Sequence, residues 1–277
     1  EPNGTLWSSN ALLQEKYHKL ILDTHLDFIK AGAEIIVTTT FTARKSRLKD
    51  NNILEKYEYL NKKAGEIALK VKEVYPNVLI AGGLPPQNLT YEVDHRDEKE
   101  IKENFNSQAN LLNPYVDFFY FDVLSSIREI KIAIESIKKF GKPYLIGAHI
   151  SEGTKLPSGE KISEITKNIE DENLLGLILS CISPENFELN LEEIRGLGVP
   201  FGFKLNAFIR TNPKPNYTGA YKNSKTGNPN EFLGQRKDLT PEKMALFAKK
   251  FKDAGATILG GCCETRPEHI KKISELT

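Results

Sequence analysis

Short apolar runs and amphipathic stretches alternate along the whole chain. The apolar runs are typical of buried parallel strands, and the amphipathic stretches have the spacing of helices. We predict helices at residues 10–30, 55–74, 98–112, 127–140, 162–168, 184–197, 240–254 and 266–276, and strands at residues 34–40, 78–84, 116–122, 143–150, 174–181, 200–206 and 256–261. Repeated strand-then-helix units indicate a parallel sheet with helices outside it.

Eight such units close a (β/α)8 TIM barrel, a fold that commonly fills a chain of this length (277 residues) as one unit. The predicted pattern opens on a helix and has one strand fewer than it has helices. We therefore expect an α/β protein with a (β/α)8 barrel fold, in which residues 1–277 form a single domain and the first strand belongs before residue 1. An open doubly wound sheet is the alternative, but no Gly-rich phosphate fingerprint follows any predicted strand.

Net charge and cysteine content exclude several classes of binding partner and of cellular location for this protein. Lys and Arg number 38 against 37 Asp and Glu, a net charge of +1 that gives no global attraction to nucleic acid or to an anionic membrane. No apolar run approaches the roughly 20 residues that a membrane-spanning helix needs, and the first residues do not resemble a signal peptide. Three cysteines, an odd number, do not make a secreted disulfide framework. We expect a cytoplasmic protein with small-molecule partners; the sequence leaves its oligomeric state open.

One long connection, residues 207–238, is rich in Asn, Pro, Gly and Lys and has little apolar periodicity. Connections of this length in a compact domain are usually lids, binding loops or disordered segments. Because it follows a predicted strand, we expect it on the face of the barrel where active sites lie.

All three cysteines fall at the carboxyl ends of predicted strands: Cys181 ends one, and Cys262 and Cys263 end another. Adjacent residues of a regular strand point to opposite faces, so both neighbours can face one point only where the strand breaks. Gly260 and Gly261 supply that backbone freedom. Three thiolates leave one tetrahedral position of a zinc ion open, as in catalytic zinc sites. The alternative is that these cysteines are buried and only fill space.

The segment around the paired cysteines, Gly260-Gly261-Cys262-Cys263-Glu264-Thr265-Arg266-Pro267-Glu268-His269-Ile270, resembles the signature of the homocysteine S-methyltransferase family. Further segments resemble the family in the same order: Leu6-Trp7-Ser8, His25-Leu26-Asp27-Phe28, Thr38-Thr39-Thr40-Phe41, Leu84-Pro85-Pro86, Cys181-Ile182-Ser183-Pro184-Glu185 and Asn206-Ala207-Phe208. The resemblance implies a (β/α)8 barrel, a Zn²⁺ ion held by the three cysteines, and homocysteine as methyl acceptor. It also implies a first strand, carrying an Asp-Gly-Gly stretch, before Leu6.

Substrate residues are implied less directly. The family has a Glu at the end of its fourth strand, which accepts the amino group of homocysteine; the resemblance assigns that role to the shorter Asp122, whose carboxylate is set back by about 1.5 Å. Thr40 and Asn206 are the other expected substrate neighbours. Ser180 and Thr39 stand where the family usually has Asn. These departures keep two alternatives open: methyl transfer to another small thiol or selenol, and a non-catalytic zinc-binding barrel.

The implied chemistry is a single displacement. A free thiol has a pKa near 8.5, and coordination to zinc deprotonates it. The homocysteine sulfur would then attack a methyl group and form methionine. A sulfonium donor, S-methylmethionine or S-adenosylmethionine, leaves as a neutral thioether and needs no acid, whereas a methylfolate would need its leaving nitrogen protonated. We therefore favour a sulfonium donor.

Three other residues are weaker candidates for the site. His149 ends a predicted strand, but a lone His is more often a packing residue. His269, in the first turn of the last helix, is expected to cap or pack. Trp7 either packs or covers a cationic donor.

Overall fold

The computed structural model describes residues 5–167, 169, 171–210 and 233–276. Its strands are β1 Ile35–Val37, β2 Leu79–Leu84, β3 Phe118–Leu124, β4 Tyr144–Ala148, β5 Leu174–Ile182, β6 Phe201–Leu205 and β7 Ile258–Gly261. Its helices are α1 Ser9–Leu12, α2 His18–Lys30, α3 Lys45–Asp50, α4 Tyr57–Val74, α5 Glu98–Leu112, α6 Ile127–Ile137, α7 Ser163–Thr166, α8 Pro184–Arg195, α9 Pro241–Asp253 and α10 Pro267–Ser274. Among these residues, none of the helices combines the length and the hydrophobicity that a membrane-spanning segment requires.

The seven strands form one parallel sheet in sequence order, from β1 to β7. The sheet is curled: Val37 of β1 and Ile258 of β7, on the two outermost strands, both pack against one inner cluster with Tyr120, Leu145 and Ile178. Strands in sequence order with helices between them are the connection pattern of a (β/α)8 barrel. The arrangement matches such a barrel with one strand missing, which confirms the predicted fold class.

The two edge strands, β1 and β7, share no backbone ladder in the described part of the chain. A cavity of about 470 Å³ lies between them and reaches into the interior of the curled sheet. Its lining includes Val37 on one side, Ile258 and Gly261 on the other, and Tyr120 and Lys204 within. The inner face of the sheet is therefore open on the side where an eighth strand would complete the barrel.

Outside the sheet, the helices cover a larger apolar core. Buried side chains of the outer sheet face, such as Phe121 and Phe203, pack against helix residues such as Phe105, Phe187 and Phe251. Both faces of the strands are therefore buried, as the near-continuous apolar runs of the sequence require.

The helix predicted at residues 10–30 is wrong as a single element. The chain forms the short α1, then a break at Gln14 with an extended backbone, and then α2. The ring of His18 hydrogen-bonds the carbonyl oxygen of Leu12 (2.8 Å) and so takes the place of a helical partner. A side chain that competes for a backbone group ends the helix here.

The strand predicted at residues 34–40 is too long, and α3 was not predicted. After Val37 the threonine side chains replace the strand ladder: the Gly83 N–H donates to Thr38 Oγ1 (3.0 Å), and Thr40 Oγ1 donates to the Gly83 carbonyl oxygen (2.8 Å). The β-branched composition favoured a strand, but the hydroxyl groups allow the chain to turn while β2 keeps its hydrogen bonds.

Most of the long connection, residues 211–232, lies outside the described residues, so its predicted position is tested only at its ends. These ends pair with each other: the Arg210 N–H donates to the Leu233 carbonyl oxygen (2.9 Å), and the Ile209 N–H donates to that of Gly234 (3.1 Å). Leu233 packs beside the cysteines at the carboxyl ends of the strands.

Candidate metal centre and its surroundings

The carboxyl ends of β5 and β7 bring three thiols together. The Sγ atoms of Cys181 and Cys263 are 3.8 Å apart, those of Cys262 and Cys263 are 3.9 Å apart, and all three lie within 4.8 Å of one another. Two sulfurs bound tetrahedrally to one zinc ion, each at about 2.3 Å, are about 3.8 Å apart. The sulfurs are far beyond the distance of a disulfide bond, and the cysteines are free. The cluster could therefore hold a metal ion.

The backbone turns Cys181 out of the regular alternation of β5. The register between β5 and β6 shifts between Ser180 and Ile182, and Cys181 has a left-handed backbone (φ 55°). A bulge of this kind re-aims one side chain at the end of a strand. The sequence alone does not predict this bulge, because no glycine marks it.

The paired cysteines lie just past the end of β7, as the expected break in that strand requires. The glycines before them act differently from the prediction, since neither has a positive φ. At Gly261 the reason for glycine is space: a Cβ atom there would lie 2.4 Å from Thr265 Oγ1. The left-handed residue is Glu264 (φ 63°), after the pair.

Cys181 is held by two polar side chains. The Tyr91 hydroxyl lies 2.9 Å from its Sγ, and Asn206 Nδ2 donates to its carbonyl oxygen (2.7 Å) and approaches its Sγ (3.7 Å). Asn206 Oδ1 in turn accepts from the Phe208 N–H (3.3 Å). Both amide ends of Asn206 are therefore used to fix Cys181 and the chain after β6.

The three thiols influence one another's pKa. Contacts with Cys262 and Cys263 hold the pKa of Cys181 well below its ordinary value. The same contact with Cys181 raises the pKa of Cys262 to about 12, and contacts with Cys181 and Cys262 raise that of Cys263. Ionisation of Cys181 therefore opposes ionisation of the other two thiols. Ionising all three requires a positive ion, and thiolates are ligands that soft divalent metals prefer.

Apolar and aromatic side chains surround the thiols. The buried residues Val123, Phe208 and Leu233 pack with Cys181, and Phe41 packs against this group. Trp7 stacks on Phe41, with ring centroids 5.8 Å apart and ring planes 4° from parallel. Trp7 therefore has a packing partner, and its contact with a donor stays a prediction.

The two histidines singled out from the sequence, His149 and His269, use their ring nitrogens in hydrogen bonds within the protein. His149 is buried against Tyr91; its Nδ1 lies 3.1 Å from the Ser180 carbonyl oxygen and its Nε2 lies 2.7 Å from Ser151 Oγ. Burial lowers the pKa of His149 to about 4, so the ring is neutral near pH 7. His269 caps α10, as expected, because its Nδ1 accepts from the Arg266 N–H (3.1 Å).

Asp122 lies inside the curled sheet and is fully engaged. Its Oδ2 accepts from Lys204 Nζ (2.6 Å), and its Oδ1 accepts from the Tyr120 hydroxyl (2.7 Å), which also lies 2.5 Å from Ser180 Oγ. Burial alone would lower the pKa of Lys204, but Asp122, Tyr120 and Cys262 hold it well above its ordinary value. The lysine is therefore a cation, paired with the carboxylate that was assigned to a substrate amino group.

Thr40 is buried three residues after β1, and its hydroxyl group is hydrogen-bonded to the Gly83 carbonyl oxygen and to Thr38 Oγ1 (2.9 Å). It ties the end of β1 to β2. The polar atoms of Thr40, Asp122 and Asn206 already have partners within the protein. The substrate contacts assigned to these three residues stay predictions.

Lys204, Tyr120 and Tyr91 were not singled out from the sequence. The signal for Lys204 was present, because a lysine inside an apolar strand is seldom buried without a partner. Tyr120 reads as an apolar strand residue, and Tyr91 lies in a loop whose course no local pattern predicts.

Comparison with known proteins identifies the family. The model of the homocysteine S-methyltransferase family matches residues 1–277. The chain belongs to the homocysteine S-methyltransferase family. It is therefore a methyltransferase, and the predicted relationship is confirmed.

Relatives within the family span nearly the whole chain. Homocysteine S-methyltransferase 1 of Saccharomyces cerevisiae is 25% identical over 98% of this chain and 87% of its own length. The S-methylmethionine–homocysteine S-methyltransferase BHMT2 of Rattus norvegicus is 25% identical over 98% of this chain and 72% of its own. The solved structure of the homocysteine methyltransferase MmuM from Escherichia coli, metallated form, covers 99% of this chain and 89% of its own, with a TM-score of 0.79 and 20% identity. That likeness supports the barrel fold.

Proposed function

We propose that this protein is a zinc-dependent S-methyltransferase that moves a methyl group from a sulfonium donor, S-methylmethionine or S-adenosylmethionine, to homocysteine and so forms methionine. Residues 1–277 act as one homocysteine-binding barrel domain, and Cys181, Cys262 and Cys263 are the zinc ligands. The observation that carries the proposal is the spacing of the thiols, 3.8 and 3.9 Å between sulfurs, which suits one tetrahedral ion.

The donor set fits zinc, because three free thiols converge where no disulfide links them. When bound, zinc supplies a fourth coordination position at which an acceptor thiol ionises near neutral pH. Tyr91 and Asn206 keep Cys181 in its bulged position. The apolar side chains of Val123, Phe208 and Leu233 keep water away from the acceptor sulfur.

The transfer is a direct displacement. A lone pair of the acceptor sulfur forms a bond to the methyl carbon while the carbon–sulfur bond of the donor breaks, and its electron pair remains on the departing sulfur. A sulfonium becomes a neutral thioether in this step and takes up no proton. The neutral His149 and the aromatic side chains of Phe41 and Tyr91 beside the thiols suit such a donor, since aromatic faces attract cations.

The reaction is tested by methionine formation. Zinc-loaded protein is incubated with deuterated homocysteine and each donor in turn, and labelled methionine is measured by mass spectrometry. We expect one labelled methionine for each donor molecule consumed. Removal of zinc by a chelator should lower the rate by about 100-fold or more, with recovery when zinc is added back. No labelled methionine with either donor would contradict the proposal.

A further inference from the structure

The interior of the curled sheet contains a cation, Lys204, that has no role in the methyl transfer proposed above. Lys204 projects from β6 into the interior of the curled sheet, where its side chain is 18% exposed and that of Asp122 is 8% exposed. The two form an ion pair at 2.6 Å, and Lys204 Nζ also lies over the ring of Tyr120, 5.0 Å from its centroid. An ion pair inside a barrel is costly to break, because the remaining charge is left buried without a partner.

Each carboxylate oxygen of Asp122 already has a donor in this arrangement. One carboxylate oxygen accepts from Lys204 and the other from Tyr120, whose hydroxyl is fixed by Ser180. Ser180 directly precedes Cys181, so this network is tied through the backbone to the thiol cluster. A substrate ammonium group that approached Asp122 would be repelled by Lys204, a cation that is already paired with this carboxylate.

Lys204 keeps donor capacity. An ammonium group has three N–H donors, and the hydrogen bond that the structure gives this one is to Asp122. Lys204 lines the cavity together with Tyr120, Gly260 and Gly261, and Gly261 directly precedes the paired cysteines. In the sheet, Lys204 lies opposite Ser180 of β5 and Gly260 of β7, which come one and two residues before the cysteines of those strands. A small thiol held at the cysteines therefore meets a cation.

We infer that Lys204 is a specificity-determining residue that binds the carboxylate of the acceptor thiol. Because Lys204 occupies Asp122, the protein does not recognise the amino group of the acceptor. The inference rests on the proposed methyl transfer to a thiol and names the class of acceptor: small thiol carboxylates, with or without an α-amino group. Homocysteine belongs to this class through its carboxylate.

Three thiols with three saturated carbons after the sulfur distinguish recognition of the carboxylate from recognition of the amino group. Homocysteine carries both charged groups, 4-mercaptobutyrate lacks the amino group, and 3-aminopropane-1-thiol lacks the carboxylate. Their dissociation constants are measured by calorimetry on zinc-loaded protein without donor, so the readout does not depend on turnover. We expect 4-mercaptobutyrate to bind within about threefold of homocysteine, and 3-aminopropane-1-thiol to bind at least about tenfold more weakly.

Variants of Lys204 then test whether this residue causes the ranking of the three thiols by affinity. Lys204→Met frees Asp122, so the ranking should invert and 4-mercaptobutyrate should become the weaker ligand by about tenfold. Lys204→Arg keeps a cation and should keep the original ranking. The control is Lys72→Met, which removes a lysine from an ion pair of the same length, 2.6 Å, with Asp117 just before the start of β3. It should leave the ranking unchanged.

The double variant Lys204→Met/Asp122→Asn removes both charges and avoids an unpaired buried carboxylate if the single variant does not fold. It should bind the three thiols with similar affinity. The inference is overturned if the unaltered protein binds homocysteine more than about tenfold tighter than 4-mercaptobutyrate, or if Lys204→Met keeps the original ranking. In either case labelled methionine would still form from homocysteine, so that failure is distinct from a failure of the proposed function.

Discussion

At the scale of single residues, charge in the interior of this protein is accompanied by a partner or removed by protonation. Lys204 and Asp122 neutralise each other, and contacts with Cys262 and Cys263 lower the pKa of the buried Cys181. Glu129, near the start of α6, follows the second route. Its Oε2 accepts from the Ser125 N–H (3.1 Å), its Oε1 has no hydrogen-bond partner among the described residues, and burial raises its pKa to about 8. Glu129 is therefore a neutral acid at pH 7.

This raised pKa predicts a specific dependence of stability on pH. A pKa of about 8 in the folded state, against 4.5 in the unfolded state, means that the folded protein binds the proton more tightly. The resulting stabilisation is full below pH 4.5 and is lost as the pH rises to about 8. Between pH 5.5 and pH 8, the free energy of unfolding should fall by about 3 kcal/mol relative to that of Glu129→Gln, which keeps the shape and stays neutral. Urea unfolding at each pH checks this, and parallel pH profiles would contradict it.

The sequence predicted some of these residues and not others. The cysteines could be assigned because a short, rare feature, Gly-Gly-Cys-Cys, falls at a predicted strand end. The engagement of Asp122 could not, because it depends on which residue of β6 lies across the interior from β3, and that follows from the curl of the sheet. Tyr91 reaches Cys181 from a loop 90 residues earlier in the chain, which no local pattern reveals.

At the scale of elements, the strands were located well but their ends were not. The ends depend on side chains that replace backbone partners, as Thr38 and Thr40 do after β1. The break between α1 and α2 has a similar origin in His18. Each of these contacts contributes a few tenths to about 1 kcal/mol of free energy in competition with regular structure. The pattern of apolar residues does not predict contributions of this size.

The close approach of β6 to β7 gives a prediction for an element. A Cβ atom at Gly202 of β6 would lie 1.8 Å from the carbonyl oxygen of Ile258 in β7, and this backbone atom cannot move without shifting the strand. We expect Gly202→Ala to lower the free energy of unfolding by about 3 kcal/mol. Gly196→Ala, just after α8, is the matched control, because its nearest atoms lie at an ordinary 3.5 Å. Denaturant unfolding followed by circular dichroism compares the two, and equal stabilities would contradict the prediction.

At the scale of the whole molecule, seven parallel strands in sequence order place both cysteine-bearing strand ends on one face. This follows from the topology, since the carboxyl ends of parallel strands meet at the same edge. The alternation of strand and helix patterns was enough to predict the barrel and that face. It was not enough to predict the bulge at Cys181, because a bulge is a local change of register that depends on packing across the sheet.

The central claim, that Cys181, Cys262 and Cys263 together hold one zinc ion, is tested most directly by the ratio of zinc to protein. The protein and its Cys262→Ser variant are purified in parallel with zinc present, dialysed and analysed for metal, with circular dichroism as the check that both are folded. We expect about one zinc ion for each chain of the protein and a loss of most of it, roughly tenfold or more, in the variant. A folded Cys262→Ser variant with full zinc occupancy would contradict the claim.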